Sequence, residues 1–152
     1  MTFKNEAQLK KFLIGKCANA VANVERKVHT EFAGNLNQYY SEFSPEEYIR
    51  TGALFNSLET TGTHANGSGA SAEIYFNTPS YQTGVVPLQH TPEHGIYGYA
   101  TWNGQKVLDT AMHGSHGGYV GGTAIWDESM ASLGDINALL LSELKKQGLQ
   151  LQ

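Results

Sequence analysis

From Glu6 to about Ala33, apolar residues return every three or four positions: Leu9, Phe12, Leu13, Cys17, Ala20, Val21, Val24, Val28 and Phe32. This period predicts one long amphipathic helix, residues 6–33, with a single apolar stripe. Lys10, Lys11, Lys16, Asn19, Asn23, Glu25, Arg26 and Lys27 fill the other positions and are expected on the opposite face. At 1.5 Å per residue such a helix spans ~40 Å, more than a small domain needs. Its stripe must therefore cover a sheet of its own chain or a neighbouring subunit. Gly34-Asn35 predicts the stop, with resumption toward Tyr40 as the alternative.

Residues 38–58 read as a joint between two structural layers. Ser44-Pro45-Glu46-Glu47 is a helix start, with a Ser cap, Pro at the first helical position and Glu at the third. Arg50-Thr51-Gly52 interrupts the pattern, and Thr51 is placed to cap a short turn over Ala53 to Leu58 that includes Leu54. Beyond it, Leu58–His64 and Ser71–Asn77 read as the strands of a hairpin, residues 58–77, turned by Ala65-Asn66-Gly67-Ser68-Gly69.

Residues 78–125 read as a Gly/Pro-rich loop region, since Pro79, Pro87 and Pro92 exclude regular elements of any length. Val85-Val86 and Ile96–Tyr99 are short strand candidates. Gln105–Met112 has the spacing of a short helix, with a hairpin about Asn103-Gly104 as the competing reading. His113–Gly118 reads as a flexible loop, Tyr119–Ile125 as a last strand and Trp126–Leu133 as a helical turn or two. Asp135 opens a terminal helix, residues 135–147, with Ile136, Leu139, Leu140 and Leu144 as its apolar face. Lys145 and Lys146 stand at its negative end and Gly148 stops it. The fold class is α+β: long N-terminal and shorter C-terminal amphipathic helices on a small antiparallel sheet, in one domain of 152 residues.

Composition narrows the function classes. A net charge of −4, with ten scattered Lys and Arg, argues against a grip on nucleic-acid phosphates. Cys17 has no partner for an internal disulfide and lies on the apolar stripe, which predicts a buried structural thiol in a reducing cytoplasm. The first fifteen residues lack an apolar signal core, and no run approaches a membrane span. Asn66-Gly67-Ser68 matches a glycosylation sequon and reads as a turn.

Four histidines crowd the second half: His90, His94, His113 and His116. His90-Thr91-Pro92-Glu93-His94 matches H-x-x-E-H, an inverted zinc-peptidase pattern that needs a helix to bring both imidazoles to one face. Pro92 opposes that helix, so solvated loop or interface histidines are the expectation, with a small metal-dependent hydrolase as the alternative. No nucleotide-binding glycine motif and no nucleophile elbow occurs. Tyr39, Tyr40, Phe43 and Tyr48 form an aromatic knot at the joint, read as packing or as an oligomer interface. Arg50 is placed either as a bidentate anchor or as a solvated side chain.

The order of elements, with Tyr39-Tyr40, Ser44-Pro45, the run Tyr48–Leu58, His116-Gly117-Gly118 and Ile125-Trp126, resembles a phage protein group. These are the minor structural proteins of long-tailed bacteriophages, the head–tail connector or tail-completion (tail terminator) family. The resemblance implies helices on a small antiparallel sheet, a homo-oligomeric ring, often of six subunits, and no catalysis or cofactor. It implies a virion location in the neck or tail after synthesis in the host cytoplasm. Its partners are then further copies, neighbouring neck and tail proteins, and DNA passing through the lumen without specific binding. In that setting Arg50, Thr51, Gly52, Leu54 and Leu58 are the structural joint. Tyr39, Tyr40, His90, His94, His113 and His116 are the candidate interface residues. A host-modulating phage protein is the further alternative.

Overall fold

Apolar burial decides how far the first helix runs. In the computed structural model, α1 spans Glu6–Glu42, nine residues past the expected stop at Ala33. Gly34 sits inside it, at a cost of about 1 kcal/mol relative to Ala. Leu36 (fully buried) and Tyr39 continue the stripe beyond that glycine, and each large apolar side chain removed from water contributes about 1.5–3 kcal/mol. Burial outweighs the glycine, and the helix goes on.

The structure describes residues 2–42, 52–78, 85–87, 90–91, 95–96, 99–101, 108–109, 111–113, 115–116, 119–120 and 123–150. The sequence reads as one domain; the contacts group the chain into two compact units. One comprises Met1–Glu31, Thr60–Ile74 and Met130–Gln152, the other Phe32–Glu59 and Tyr75–Ser129. The architecture is α+β, long and short helices with small β-ladders. Among the described residues no helix is long and apolar enough to cross a membrane.

After α1 comes a single turn, α2 (Ala53–Asn56), entered through Gly52 in the left-handed region at φ 72°. Next, β1 (Leu58–Thr60) pairs with β4 (Ile74–Phe76), and β2 (His64–Ala65) pairs with β3 (Ala70–Ser71). The expected hairpin is there, and Asn66 makes its turn. The Asn66 side-chain oxygen accepts from the Ser68 and Gly69 amides at 2.8 and 3.0 Å, and the Asn66 amide donates to the Gly69 carbonyl. This is the local bonding for which Asx residues are favoured in turns.

The hairpin is kinked rather than continuous. Thr61 donates its amide to the Glu73 carbonyl, whereas His64 faces Ser71. That is three steps on one strand against two on the other, a β-bulge. The extra residue falls at Gly62-Thr63, and Gly62 takes φ 70°, where glycine meets no steric penalty.

Two antiparallel ladders lie in the stretch expected to be largely irregular, and they take in the strand candidates Val85-Val86, Ile96 and Tyr99. β5 (Val85–Pro87) pairs antiparallel with β8 (Tyr99–Thr101), and β6 (His90–Thr91) with β7 (Gly95–Ile96). Pro87 faces Tyr99 and His90 faces Ile96, three residues inward on each side, so both ladders keep one register. Pro87 is tolerated because each strand of a two-stranded ladder has an open edge where a missing N–H costs nothing. β9 (Ser115–His116) and β10 (Tyr119–Val120) form a third antiparallel pair separated by Gly117-Gly118. This corrects the loop expected at His113–Gly118 and shortens the strand expected at Tyr119–Ile125. Leu108, Asp109, Ala111 and Met112 are helical, as the spacing of that stretch predicts.

The C-terminal helices are α3 (Ile125–Leu133) and α4 (Ile136–Lys146). Gly134 at φ 66° ends the first, and the Asp135 side chain opens the second by accepting the Asn137 amide at 2.8 Å. At its far end Leu149 N–H reaches the Leu144 carbonyl and Gly148 N–H the Lys145 carbonyl, with Gly148 at φ 84°. This is a Schellman cap, and half-buried Leu144 and Leu149 supply the apolar contact that goes with it.

In the second unit Phe32 is buried, its ring 6.3 Å from Phe76 and 5.6 Å from Trp126, both edge-on. Among the described residues, Leu36, Tyr39, Leu54, Ala111 and Ile125 are the other buried apolar residues of that unit, and Ala20 and Val24 those of the first.

Glycine substitutions with opposite signs test this account. Gly62→Val, where a Cβ meets no atom within 4 Å but φ is 70°, is expected to destabilise by about 1–2 kcal/mol. Gly34→Ala, in open space inside α1, is expected to stabilise by about 1 kcal/mol. Urea-unfolding midpoints read both; a neutral Gly62→Val sinks the bulge.

Candidate interaction surface

The expected joint begins outside the described residues at Arg50 and Thr51, and continues within them. Gly52 accepts the Asn56 amide at 2.9 Å and so closes α2. Leu54 is buried. Ser57, fully buried, donates its hydroxyl to the Leu54 carbonyl at 2.7 Å and accepts the Asn77 amide at its own carbonyl. Leu58, half-buried, then starts β1. Tyr39 is buried and Tyr40 half-buried; their rings lie 5.9 Å apart, and Phe55 stands perpendicular to Tyr40 at 6.3 Å. Phe43 and Tyr48 lie outside the described residues.

The histidines are distributed over different local structures. His90 is on strand β6 and His116 on β9, whereas His113 is exposed in a turn. His94 lies outside the described residues. A helical H-x-x-E-H arrangement is thus replaced at His90 by a strand. Among the described residues no three His, Cys, Asp or Glu side chains stand together as a metal site would require.

The polar groups that do converge include Asn23, Glu25 and Lys27, which the period of α1 sets opposite its apolar stripe. Glu143 on α4 is only 3% exposed. It accepts from Lys27 at 2.7 Å, Lys146 at 2.8 Å and Asn23 at 3.2 Å. Lys146 and Lys27 hold its carboxyl down from 4.5 to about 2, against the burial that would raise it. Asn23 and Lys27 are one helical turn apart, so α1 offers both to one carboxylate. The signal was present in the sequence: Glu143 falls on the Ile136–Leu139–Leu140 stripe of α4.

Glu25 clamps the bulged hairpin in the same manner. Thr60 donates to one carboxylate oxygen, and Thr63 to the other at 2.7 Å. Thr60 first and Thr63 second lower the Glu25 carboxyl, with a smaller contribution from the Gly62 backbone. In the second unit Glu42 receives the Thr123 amide at 2.7 Å and its hydroxyl at 2.5 Å, and Asn35 donates to buried Ser129 at 2.8 Å. Glu59 accepts from Asn77 and Tyr75, both at 2.9 Å, which lower its carboxyl in that order. These groups were missed because isolated polar partners such as Thr60, Thr63, Asn77, Thr123 and Ser129 leave no periodic trace.

A family model, YomN, matches residues 5–150. The chain belongs to the YomN family. The family name is that of a phage-derived Bacillus protein, which supports a phage origin for this member. Comparison with curated proteins and with solved structures returns no match.

Several large apolar side chains are exposed among the described residues. Trp126 is 50% exposed, and Leu9, Leu13, Phe55, Tyr75 and Leu141 are also open to solvent. Leu141 lies in a shallow depression of about 530 Å³ along α4, with Ala138, Ser142, Lys145 and Lys146. Such residues suit protein contacts, where aromatic anchors and apolar patches carry the affinity.

The Glu143 cluster sets a pH dependence. A carboxyl held at about 2 when folded and near 4.5 when unfolded stabilises fully above 4.5, and that contribution is lost as pH falls toward 2. Glu143→Gln is expected to lower the melting temperature at neutral pH and to flatten its fall across that window. Glu25 and Glu59, also lowered, keep part of the acid dependence in the variant. Thermal melts across a pH series check it; an unchanged acid limb in Glu143→Gln sinks the assignment.

Proposed function

We propose that this protein is a virion structural component at the phage head–tail junction, in the neck or tail-completion ring. It joins the connector to the tail tube through protein–protein contacts. The observation that carries the reading is the YomN match over residues 5–150, the same span whose order of elements resembles the head–tail connector group. In this role copies associate into a ring, neighbouring neck and tail proteins dock on its surface, and DNA slides through the lumen. A net charge of −4 suits that passage, because a weakly acidic wall does not hold phosphates.

The candidate contact residues are Trp126, Phe55 and the exposed leucines, together with His90, His94, His113 and His116. Within the first unit the clamp at Glu143 fixes one helix against another, which a repeated contact on that unit requires.

Particle composition tests the role directly. Mass spectrometry of gradient-purified phage is expected to detect the protein in intact particles. Deletion of its gene is expected to leave filled heads and tails unjoined, or tails of uncontrolled length, in electron micrographs. Normal infectious particles lacking the protein overturn the proposal.

A further inference from the structure

The apolar stripe of α1 is covered in its middle and open at its start. Ala20 and Val24 are buried, whereas Leu9 (39% exposed) and Leu13 (38%) are not. At 100° per residue these four positions fall within about 60° of one another, so they form one face. The first half of the helix carries Lys10, Lys11 and Lys16 against one acid, Glu6 in its first turn. Lys16 lies over the Phe12 ring, 5.4 Å from its centre. The open end is thus both apolar and basic.

A surface of the opposite kind starts α3. Trp126 is the most exposed of the large apolar residues described, and Asp127 and Glu128, both exposed, follow it. The charge of the two units divides the same way. The unit with the open end of α1 has eight Lys and Arg against six Asp and Glu; the unit with Trp126 has two against eight. A chain of net −4 therefore consists of a part at +2 and a part at −6.

We propose that copies of this chain associate head to tail, Leu9, Lys10 and Leu13 of one copy docking on Trp126, Asp127 and Glu128 of the next. A half-exposed indole is the side chain most often found as an interface anchor, and the flanking charges are complementary. The symmetrical alternative, one α1 end against another, sets lysines against lysines. A head-to-tail contact leaves each copy with one donor face and one acceptor face, so the contact repeats until the rotation closes. The inference names the contact that the proposed ring requires, and rests on that reading only for closure.

Sedimentation velocity of the full chain at low and high salt tests it. The wild-type chain is expected to form species larger than a monomer that dissociate as salt rises. Lys10→Glu with Leu13→Ser, and separately Asp127→Lys with Glu128→Lys, are each expected to weaken association by about tenfold or more. Both pairs are exposed, and unchanged melting temperatures show intact folding. Trp126→Gln is the substitute if the double change disturbs α3. Mixing Lys10→Glu, Leu13→Ser with Trp126→Gln, which removes the anchor without reversing charge, is the sharpest arm. Each mixed pair keeps one intact contact, so dimers and nothing larger are expected.

A wild-type chain that stays monomeric, a mixture that gives no dimer, or a dimer insensitive to the Asp127/Glu128 change overturns the contact. A chain that associates this way yet is absent from particles refutes the virion role and leaves the contact standing. A monomeric virion component does the reverse.

Discussion

A carboxylate taken out of water and kept charged needs several donors at fixed positions. Glu143 is nearly inaccessible, and its donors are Lys27, Asn23 and Lys146. Two come from successive turns of α1 and one from α4 itself, so the cluster exists only if both helices are formed and in one register. An apolar stripe alone allows a helix to slide by a turn at modest cost. Here a one-turn slip leaves a buried charge without its ammonium partners, a penalty that apolar contacts do not offset. α1 repeats the device along its length. Glu25 takes the hydroxyls flanking the hairpin bulge, Asn35 takes buried Ser129, and Glu42 takes Thr123. The helix positions its partners by paired polar groups as much as by burying leucine and phenylalanine.

This explains which parts of the fold were legible in the sequence. The two amphipathic helices were visible because burial on one side of a helix leaves a trace of period 3.6. The first hairpin was visible because Asn66-Gly67-Ser68-Gly69 is turn chemistry. Its bulge was not, since one extra residue at Gly62-Thr63 changes no pattern that composition records. The end of α1 was misjudged by weighting Gly34 above Leu36 and Tyr39, a local propensity against a larger tertiary term. In the second set of ladders Val85-Val86 and Ile96–Tyr99 were legible as strand candidates, but their pairing and β6 were not, because proline was read as excluding longer elements. That holds in the middle of a sheet and fails in a two-stranded ladder, where each strand keeps an open edge. Of the candidate joint, the buried Leu54 and Ser57 and the left-handed Gly52 are in view, while Arg50 and Thr51 lie outside the described residues.

The polar face of α1 was the most consequential misreading. Asn23, Glu25 and Lys27 look like a solvated helix surface by period alone. Each is instead bonded to another element: Asn23 and Lys27 to α4, Glu25 to the bulged hairpin. The clue lay in the partner rather than in α1, since an acid standing on an otherwise apolar helix face, as Glu143 does, requires cations opposite it. Reading helices in pairs, and asking of each charged residue on an apolar stripe what answers it, recovers such contacts where a single-helix pattern does not.

The direction of the pKa shifts bears on what kind of protein this is. Groups that donate or accept protons in catalysis are usually displaced toward neutrality, a carboxyl upward by burial or by a like charge. Glu25, Glu59 and Glu143 move the other way, each stabilised as the anion by donors from its own or another element. They are acids committed to holding helices and strands together. Apart from these clusters, the described surface includes an apolar, largely basic start of α1 and an aromatic, acidic start of α3. The net value of −4 conceals this division of charge, and the contact proposed above is built on it.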